Sequence, residues 1–183
     1  MKRDSRQVYT EYLVLQAQGG SDSAFRELYE LWSADFKRLA RVQVRTDDAV
    51  DEVTQNAWIS IAKGLKRLED PACFPSWAFR ILHRRSADWI RKQQKERYRK
   101  EVLEKHRLDS NPDSAHGDDY MTVLKEQIAQ MDPEARTLLH LFYETGLSVA
   151  EVAEVLDVPS GTVKSRLYTL REKLKQCMER KML

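Results

Sequence analysis

The stretch Leu147-Ser-Val-Ala-Glu-Val-Ala-Glu-Val-Leu-Asp-Val-Pro-Ser-Gly-Thr-Val-Lys-Ser-Arg-Leu-Tyr-Thr-Leu-Arg171 decides the fold of this chain. It reads as two helices across a tight turn, the second of them basic. Ser148 and Glu151 have capping-box spacing, which satisfies two orphan amide donors and fixes where the first helix begins. Val149, Val152, Ala153 and Leu156 follow at helical spacing. Ala153 is small where the two helices must cross, and Val163 supplies the apolar contact from the second. Asp157-Val-Pro-Ser160 breaks the chain, because proline disfavours helix at the residue before it, and Ser160 can cap the second helix. Val163, Leu167, Leu170 and Leu174 are expected inside. Thr162, Lys164, Ser165, Arg166, Tyr168 and Arg171 are left outside. A positively charged helix carried on a small bundle suits the DNA major groove. The alternative is an ordinary pair of helices with a solvated basic face.

Many such motifs place glycine four residues after the small alanine, where a left-handed backbone is needed. Here that position is Asp157, a residue type that tolerates this conformation better than most.

Composition sets the frame. The chain has 183 residues, 33% charged and 42% hydrophobic, with only six glycines, so it predicts a helical protein rather than a turn-rich β fold. The net charge of +2 conceals local contrasts. Residues 91–107 carry eight Lys/Arg against three acids, whereas Asp109 to Tyr120 holds four aspartates and no Lys or Arg. Segregated charge points to different partners for different surfaces. Cys73 and Cys177 are distant in sequence, so neither a disulfide framework nor a zinc site is expected, and no cofactor is implied. The charged N-terminus lacks a signal-peptide core, and no apolar run is long enough to span a bilayer. A cytoplasmic protein with no membrane insertion is the expectation.

Outward from the motif, punctuation divides the chain. Val8 to Gln18 is a short helix stopped by Gly19-Gly20. Ser21 or Asp22 caps a second, to about Val44, with Phe25, Leu28, Leu31, Trp32, Phe36 and Leu39 as its apolar stripe. Asp47 and Asp48 open a third, to about Leu65. Lys66 to Pro75 is a loop, and Ser76 begins a fourth helix reaching at least Lys92. Residues 94–119 read as a polar linker, helical in the first half and flexible in the second. Tyr120 to Met131 forms another amphipathic helix. Asp132-Pro133 then starts one ending near Thr145 at Gly146, with proline at the first helical position. The expected architecture is all-α: a helical domain over 1–93, the linker, and a second helical domain over 120–183 containing the helix-turn-helix.

Two faces of the first domain carry chemistry. On the third helix Val50, Val53, Ala57, Ile61 and Leu65 form a core stripe. The opposite side presents Asp48, Asp51, Glu52 and Gln55, with Ile59 among them, and suits docking of a basic partner. Acids near a helix N-terminus also fit a merely solvated face. On the fourth helix Ala78, Phe79, Leu82, Trp89 and Ile90 are placed inward. Arg80, His83, Arg84 and Arg91 share the other side, with Trp77 nearby. Cations beside an aromatic ring suit single-stranded nucleic acid, which needs charge for phosphates and a platform for bases. A core role for Trp77 stays open.

The order of motifs resembles the extracytoplasmic-function (ECF) group of bacterial sigma factors. The likeness runs from Ser23-Ala-Phe-Arg-Glu-Leu-Tyr29 to Leu174. It is strongest in Asp51-Glu-Val-Thr-Gln-Asn-Ala-Trp58, Phe74-Pro-Ser-Trp-Ala-Phe-Arg-Ile-Leu82 and Gly161-Thr-Val-Lys-Ser-Arg-Leu167. The resemblance implies a non-enzyme that binds core RNA polymerase, directs it to promoters and helps open the duplex. It places Asp48, Asp51, Glu52, Gln55, Asn56 and Ile59 against the polymerase. Lys66, Arg67, Glu69, Asp70, Cys73, Phe74 and Trp77 would read the melted −10 element, with Arg80, Arg84 and Arg91 on its phosphates. Ser160, Thr162, Lys164, Ser165, Arg166, Tyr168 and Arg171 would meet the duplex −35 element. An anti-sigma protein is a further candidate partner. Two departures mark this chain: Tyr168-Thr-Leu170 replaces a more basic continuation of the recognition helix, and the loop Glu69-Asp-Pro-Ala-Cys-Phe74 is acidic. Cys73 reads as a small apolar residue rather than a redox switch.

The competing reading is a stand-alone helix-turn-helix regulator, which would bind duplex tightly by itself, usually as a dimer. An enzyme on nucleic acid finds no support. The histidines are scattered, and neither a carboxylate cluster nor a phosphate-cradling glycine loop is present.

Overall fold

The computed structural model describes residues 5–103, 127–128 and 130–181. Every regular element among them is helical. Helix α1 spans Ser5–Gln18, α2 Asp22–Gln43, α3 Asp47–Gly64 and α4 Phe74–Leu103. Two 3-10 turns, Leu65–Arg67 and Pro71–Cys73, shape the segment between α3 and α4. The second domain holds α5 (Pro133–Leu139), a π-helical turn (His140–Glu144), α6 (Val149–Leu156) and α7 (Ser160–Lys181).

Local chemistry explains most of these boundaries. Gly20 adopts φ +99°, which turns the chain out of α1, and the Ser21 hydroxyl accepts the Ala24 amide to start α2. Thr46 makes no side-chain cap for α3, so its first turn relies on Asp47 and Asp48 near the helix's positive end. Asp132 accepts the Ala135 amide with Pro133 in the first turn, as the sequence implies. Helix α4 begins at Phe74, two residues before the expected start at Ser76, because proline at the second helical position lacks only an amide that would be unpaired anyway. It continues through Leu103, so the first part of the expected linker is helical. The remainder, and residues 120–126 and 129 of the helix expected over 120–131, lie outside the described residues, while 127, 128 and 130 are helical.

The first domain is built on aromatic packing. Phe36 on α2 is fully buried, stacked on Trp58 of α3 at 4.8 Å between ring centroids and tilted onto Phe79 of α4 at 5.1 Å. Trp32 meets Phe79 edge-on at 5.9 Å and Phe74 at 6.2 Å. Aromatic pairs in this range are worth roughly 0.5–1.5 kcal/mol each beyond their area burial. Asp35 is buried on α2 and held by both Arg6 and Arg38, while Arg6 also lies 4.1 Å above the Trp32 ring. Burial would raise the Asp35 pKa, but hydrogen bonds from the two guanidiniums outweigh it and hold the carboxyl below its ordinary range.

In the second domain the helix expected to reach Thr145 is α-helical only to Leu139 and then widens. The Thr145 amide bonds to His140 O, five residues back, and Gly146 at φ +72° turns the chain. The two domains touch: α4 packs against α6, and α2 against α5.

Candidate functional site

The helix-turn-helix forms as its residues dictate. Both halves of the Ser148/Glu151 capping box are made, at 3.3 Å and 2.8 Å. Val152, Ala153 and Val155 are buried against Val163, Leu167 and Leu170 of α7. Asp157 is left-handed at φ 57°, ψ 45°, where its amide, like that of Val158, closes on Ala153 O. Ser160 is already the first residue of α7, and the Pro159 carbonyl, rather than a Ser160 cap, receives the amides of Thr162 and Val163.

The outer side of α7 is polar and exposed at Ser160, Lys164, Ser165, Arg166 and Arg171, with Tyr168 65% exposed and Thr162 half-buried. The Ser165 hydroxyl donates to Thr162 O, and Arg171 Nε lies 3.4 Å from Leu167 O. Arg166 is not free: its guanidinium sits 3.3 Å from Glu134 of α5.

On α3 the expected core stripe is buried throughout, and Asp48, Asp51, Glu52, Gln55 and Asn56 are exposed on the opposite side. Ile59 shares that side at 46% exposure. Two of these acids already have partners within the chain. Asp51 accepts from Lys37 of α2 at 2.9 Å, and that hydrogen bond raises the lysine's pKa. Glu52 accepts the Trp89 indole N–H at 2.8 Å. Trp89, placed inward by the periodicity, is therefore half-buried with its polar edge at the acidic face. Arg85 joins it by donating to Ser60 at 3.1 Å. Together with Glu52, Asn56 and Ile59, Arg85 and Trp89 line a shallow groove between α3 and α4. Sequence reading missed Arg85 and Trp89 as members of this face. The signal was their spacing along α4, one turn apart.

The segment after α3 exposes Lys66, Arg67, Glu69 and Asp70. Asp70 caps the second 3-10 turn through the Ala72 amide and approaches Cys73 Sγ at 3.6 Å. Burial, then the charge and hydrogen bond of Asp70, push the Cys73 thiol up, so the thiolate needed for redox chemistry is disfavoured. Phe74 is fully buried between Trp32 and Trp77 and offers no face to a nucleotide. It anchors the loop rather than touching a ligand, because an aromatic ring at the start of α4 gains more from the core than from water. Trp77 is half-buried, packed on the core beside Gly64.

The arginine face of α4 is divided. Arg91 is exposed and near Asp88 at 3.7 Å. Arg80 and Arg84 instead point at the second domain, where Arg80 Nη2 lies 3.6 Å from Asp157 Oδ1 and Arg84 Nη2 4.0 Å from Oδ2. His83, expected on this face, turns inward: its Nδ1 is 2.8 Å from Gln43 Nε2, and burial pushes its pKa down. Between the domains lies a cavity of about 240 Å³ with a largely apolar lining.

The described residues carry one acidic face, on α3, and two cationic ones, on α4 and α7, and solved structures share the helical fold that presents them. The solved structure of CnrH in complex with the cytosolic domain of CnrY superposes with TM-score 0.65 at 22% identity, covering 94% of this chain and 98% of that one. The sigma factor RpoE with the anti-sigma factor NepR, from Bartonella quintana, gives 0.66 at 18% identity over 85% and 96%. In sequence, the chain is 34% identical over 142 residues to RNA polymerase sigma factor SigV of Bacillus subtilis, 73% of this chain and 78% of that protein. It is 25% identical over 179 residues to the ECF RNA polymerase sigma-E factor of Escherichia coli K12, 92% and 93%. With the ECF sigma factor family matching residues 8–180, this chain belongs to the ECF sigma factors.

Proposed function

We propose that this ECF sigma factor divides promoter recognition among three faces, with domains at 1–93 and 120–183 joined by the intervening segment. The acidic face of α3 (Asp48, Asp51, Glu52, Gln55, Asn56 and Ile59) docks on a basic surface of core RNA polymerase. Lys66, Arg67, Glu69, Asp70, Cys73 and Trp77 surround the melted −10 element, and Arg80, Arg84 and Arg91 hold its phosphates. The outer side of α7 enters the duplex −35 element through Ser160, Thr162, Lys164, Ser165, Arg166, Tyr168 and Arg171. The observation that carries this reading is the placement of exposed acids on α3 against exposed cations on α4 and α7.

Physical requirements support the division. Duplex readout needs a helix braced on a core, which the capping box and buried Val163 and Leu167 supply. Holding a melted strand must offset unpairing and unstacking, roughly a few kcal/mol, so it needs several cations together. Two weak readers joined in one chain gain affinity through effective concentration. The work is done in the cytoplasm, where the polymerase is. An anti-sigma protein, as captured with the Bartonella relative, would compete for the same faces.

The stand-alone regulator reading is not favoured by the family match. Reconstitution tests the assignment: core polymerase plus this chain should initiate at a promoter selected by the holoenzyme. Tight duplex binding by the chain alone, with no response from polymerase, would reject it.

A further inference from the structure

We infer that the cavity between the two domains is a binding site for a small neutral molecule with a ring-sized apolar body and one carboxamide-like edge, a hydrogen-bond donor beside an acceptor. Its apolar lining comes from both domains: Ala87 and Ile90 from α4, Pro133 from α5, and Leu156 and Val158 from the helix-turn-helix. Water held in a cavity needs about two to four polar partners, and these five side chains offer none. An apolar group in the same place gains the free energy of leaving water. Size limits the occupant. An apolar cavity of about 150 Å³ accommodates benzene, so one of about 240 Å³ takes a six-membered ring with a substituent of about three more heavy atoms.

The polar part of the lining sets the edge of the ligand. Ser86 is 1% exposed, and neither its Oγ nor Gln43 Oε1 has a hydrogen-bond partner among the described residues. Both residues line the cavity. Gln43 Nε2 lies 2.8 Å from His83 Nδ1, so that end of the side chain is engaged and its oxygen is left to accept. The Ser86 hydroxyl, one turn along α4 from His83, donates after a χ1 rotation. Buried polar groups in native proteins are paired. A ligand carboxamide pairs both at once: its N–H donates to Gln43, and its C=O accepts from Ser86.

The lining carries no unopposed charge. Glu134 and Arg166, which complete it, lie 3.3 Å apart and neutralise each other. Burial pushes the His83 pKa down, which keeps its ring neutral near pH 7. An ion brought into such a site would lose its water and gain no counter-charge, so the ligand is neutral.

Benzamide, a ring bearing one carboxamide, is the probe. Isothermal titration of the full chain, without polymerase or DNA, should give one site with a dissociation constant at or below about 1 mM. Benzoate, the same shape with a charge, should bind at least about tenfold more weakly. Ser86→Ala should weaken benzamide about fivefold and leave toluene binding unchanged, since toluene makes no hydrogen bond there. Ala87→Leu projects extra carbons into the cavity and should abolish binding of both probes, with a thermal melt reporting that the chain still folds. Ile90→Phe supplies the same block if Ala87→Leu does not melt cooperatively. No heat of binding with 10 mM benzamide, on the order of ten times the expected constant, overturns the site. Equal binding by the parent and the blocked chain overturns it too. Unchanged benzamide affinity in Ser86→Ala overturns the carboxamide class. Each result is read on the chain alone, so it stands apart from the polymerase and promoter assignments.

Discussion

Reversing Asp51 and Glu52 to lysine separates docking from folding. Both side chains are exposed on α3, and their intramolecular contacts are single hydrogen bonds from Lys37 and Trp89. Exposed contacts of this kind contribute little to stability. Placing cations in the first half of α3 adds a modest dipole penalty, so the two reversals together cost the fold at most about 2 kcal/mol. A domain of ordinary stability, about 5–15 kcal/mol, then stays more than ~99% folded at 25 °C. Loss of binding cannot therefore be loss of structure. If the acids meet a basic surface, each reversal sacrifices a charged interface contact worth about 2–5 kcal/mol, and affinity of the doubly reversed chain for core polymerase falls by about a thousandfold or more. Lys37→Ala supplies the opposite sign. It frees Asp51 from its internal partner and should leave affinity unchanged or raise it by up to about fivefold. Titration of fluorescently labelled chain with core polymerase, alongside a thermal melt of each variant, gives both quantities. An unchanged dissociation constant for the reversed chain refutes the docking face. A Lys37→Ala chain as weak as the reversal would make Lys37 itself the contact.

Further outcomes rest on the same geometry. Leu167, 1% exposed on α7, holds the recognition helix down, so Leu167→Ala should cost about 2–5 kcal/mol; differential scanning calorimetry should show the second domain melting earlier, with −35 duplex binding by holoenzyme lost. Lys164→Ala and Arg171→Ala should weaken −35 binding on all sequences alike and each lower the log–log salt slope by about 1; an unaltered slope would remove them from phosphate contact. Burial lowers the pKa of both His83 and His140, although Glu134 and Glu144 respectively oppose it. The unfolded chain then takes up protons below about pH 6.5 that the folded chain refuses, so stability is full above that pH and declines as pH falls through it. A melting temperature flat from pH 7.5 to 5.5 would contradict this. Gly64→Ala would bring a β-carbon to 3.0 Å from the Trp77 ring, so the ring must shift and tryptophan fluorescence should change; an emission spectrum identical to the parent's would contradict this packing.

Much was legible along the chain. The caps at Ser21, Asp132 and Ser148, the stripe from Val50 to Leu65 and the left-handed Asp157 could be read directly, because each depends on residues within one or two turns of one another. The two candidate DNA-binding helices and the acidic face of α3 were legible for the same reason: helical periodicity sorts residues onto faces. Tertiary docking decided the rest. Whether Phe74 is a contact or an anchor depends on where Trp32 lies, 42 residues earlier. His83 leaves its arginine neighbours for Gln43, Trp89 presents its indole N–H to Glu52, and Asp157 meets Arg80 and Arg84 from another domain. Periodicity fixes which way a side chain leaves its own helix. It carries no record of the crossing distances and angles that bring a second helix opposite, and those set whether an exposed-looking charge faces water, a partner or the chain itself.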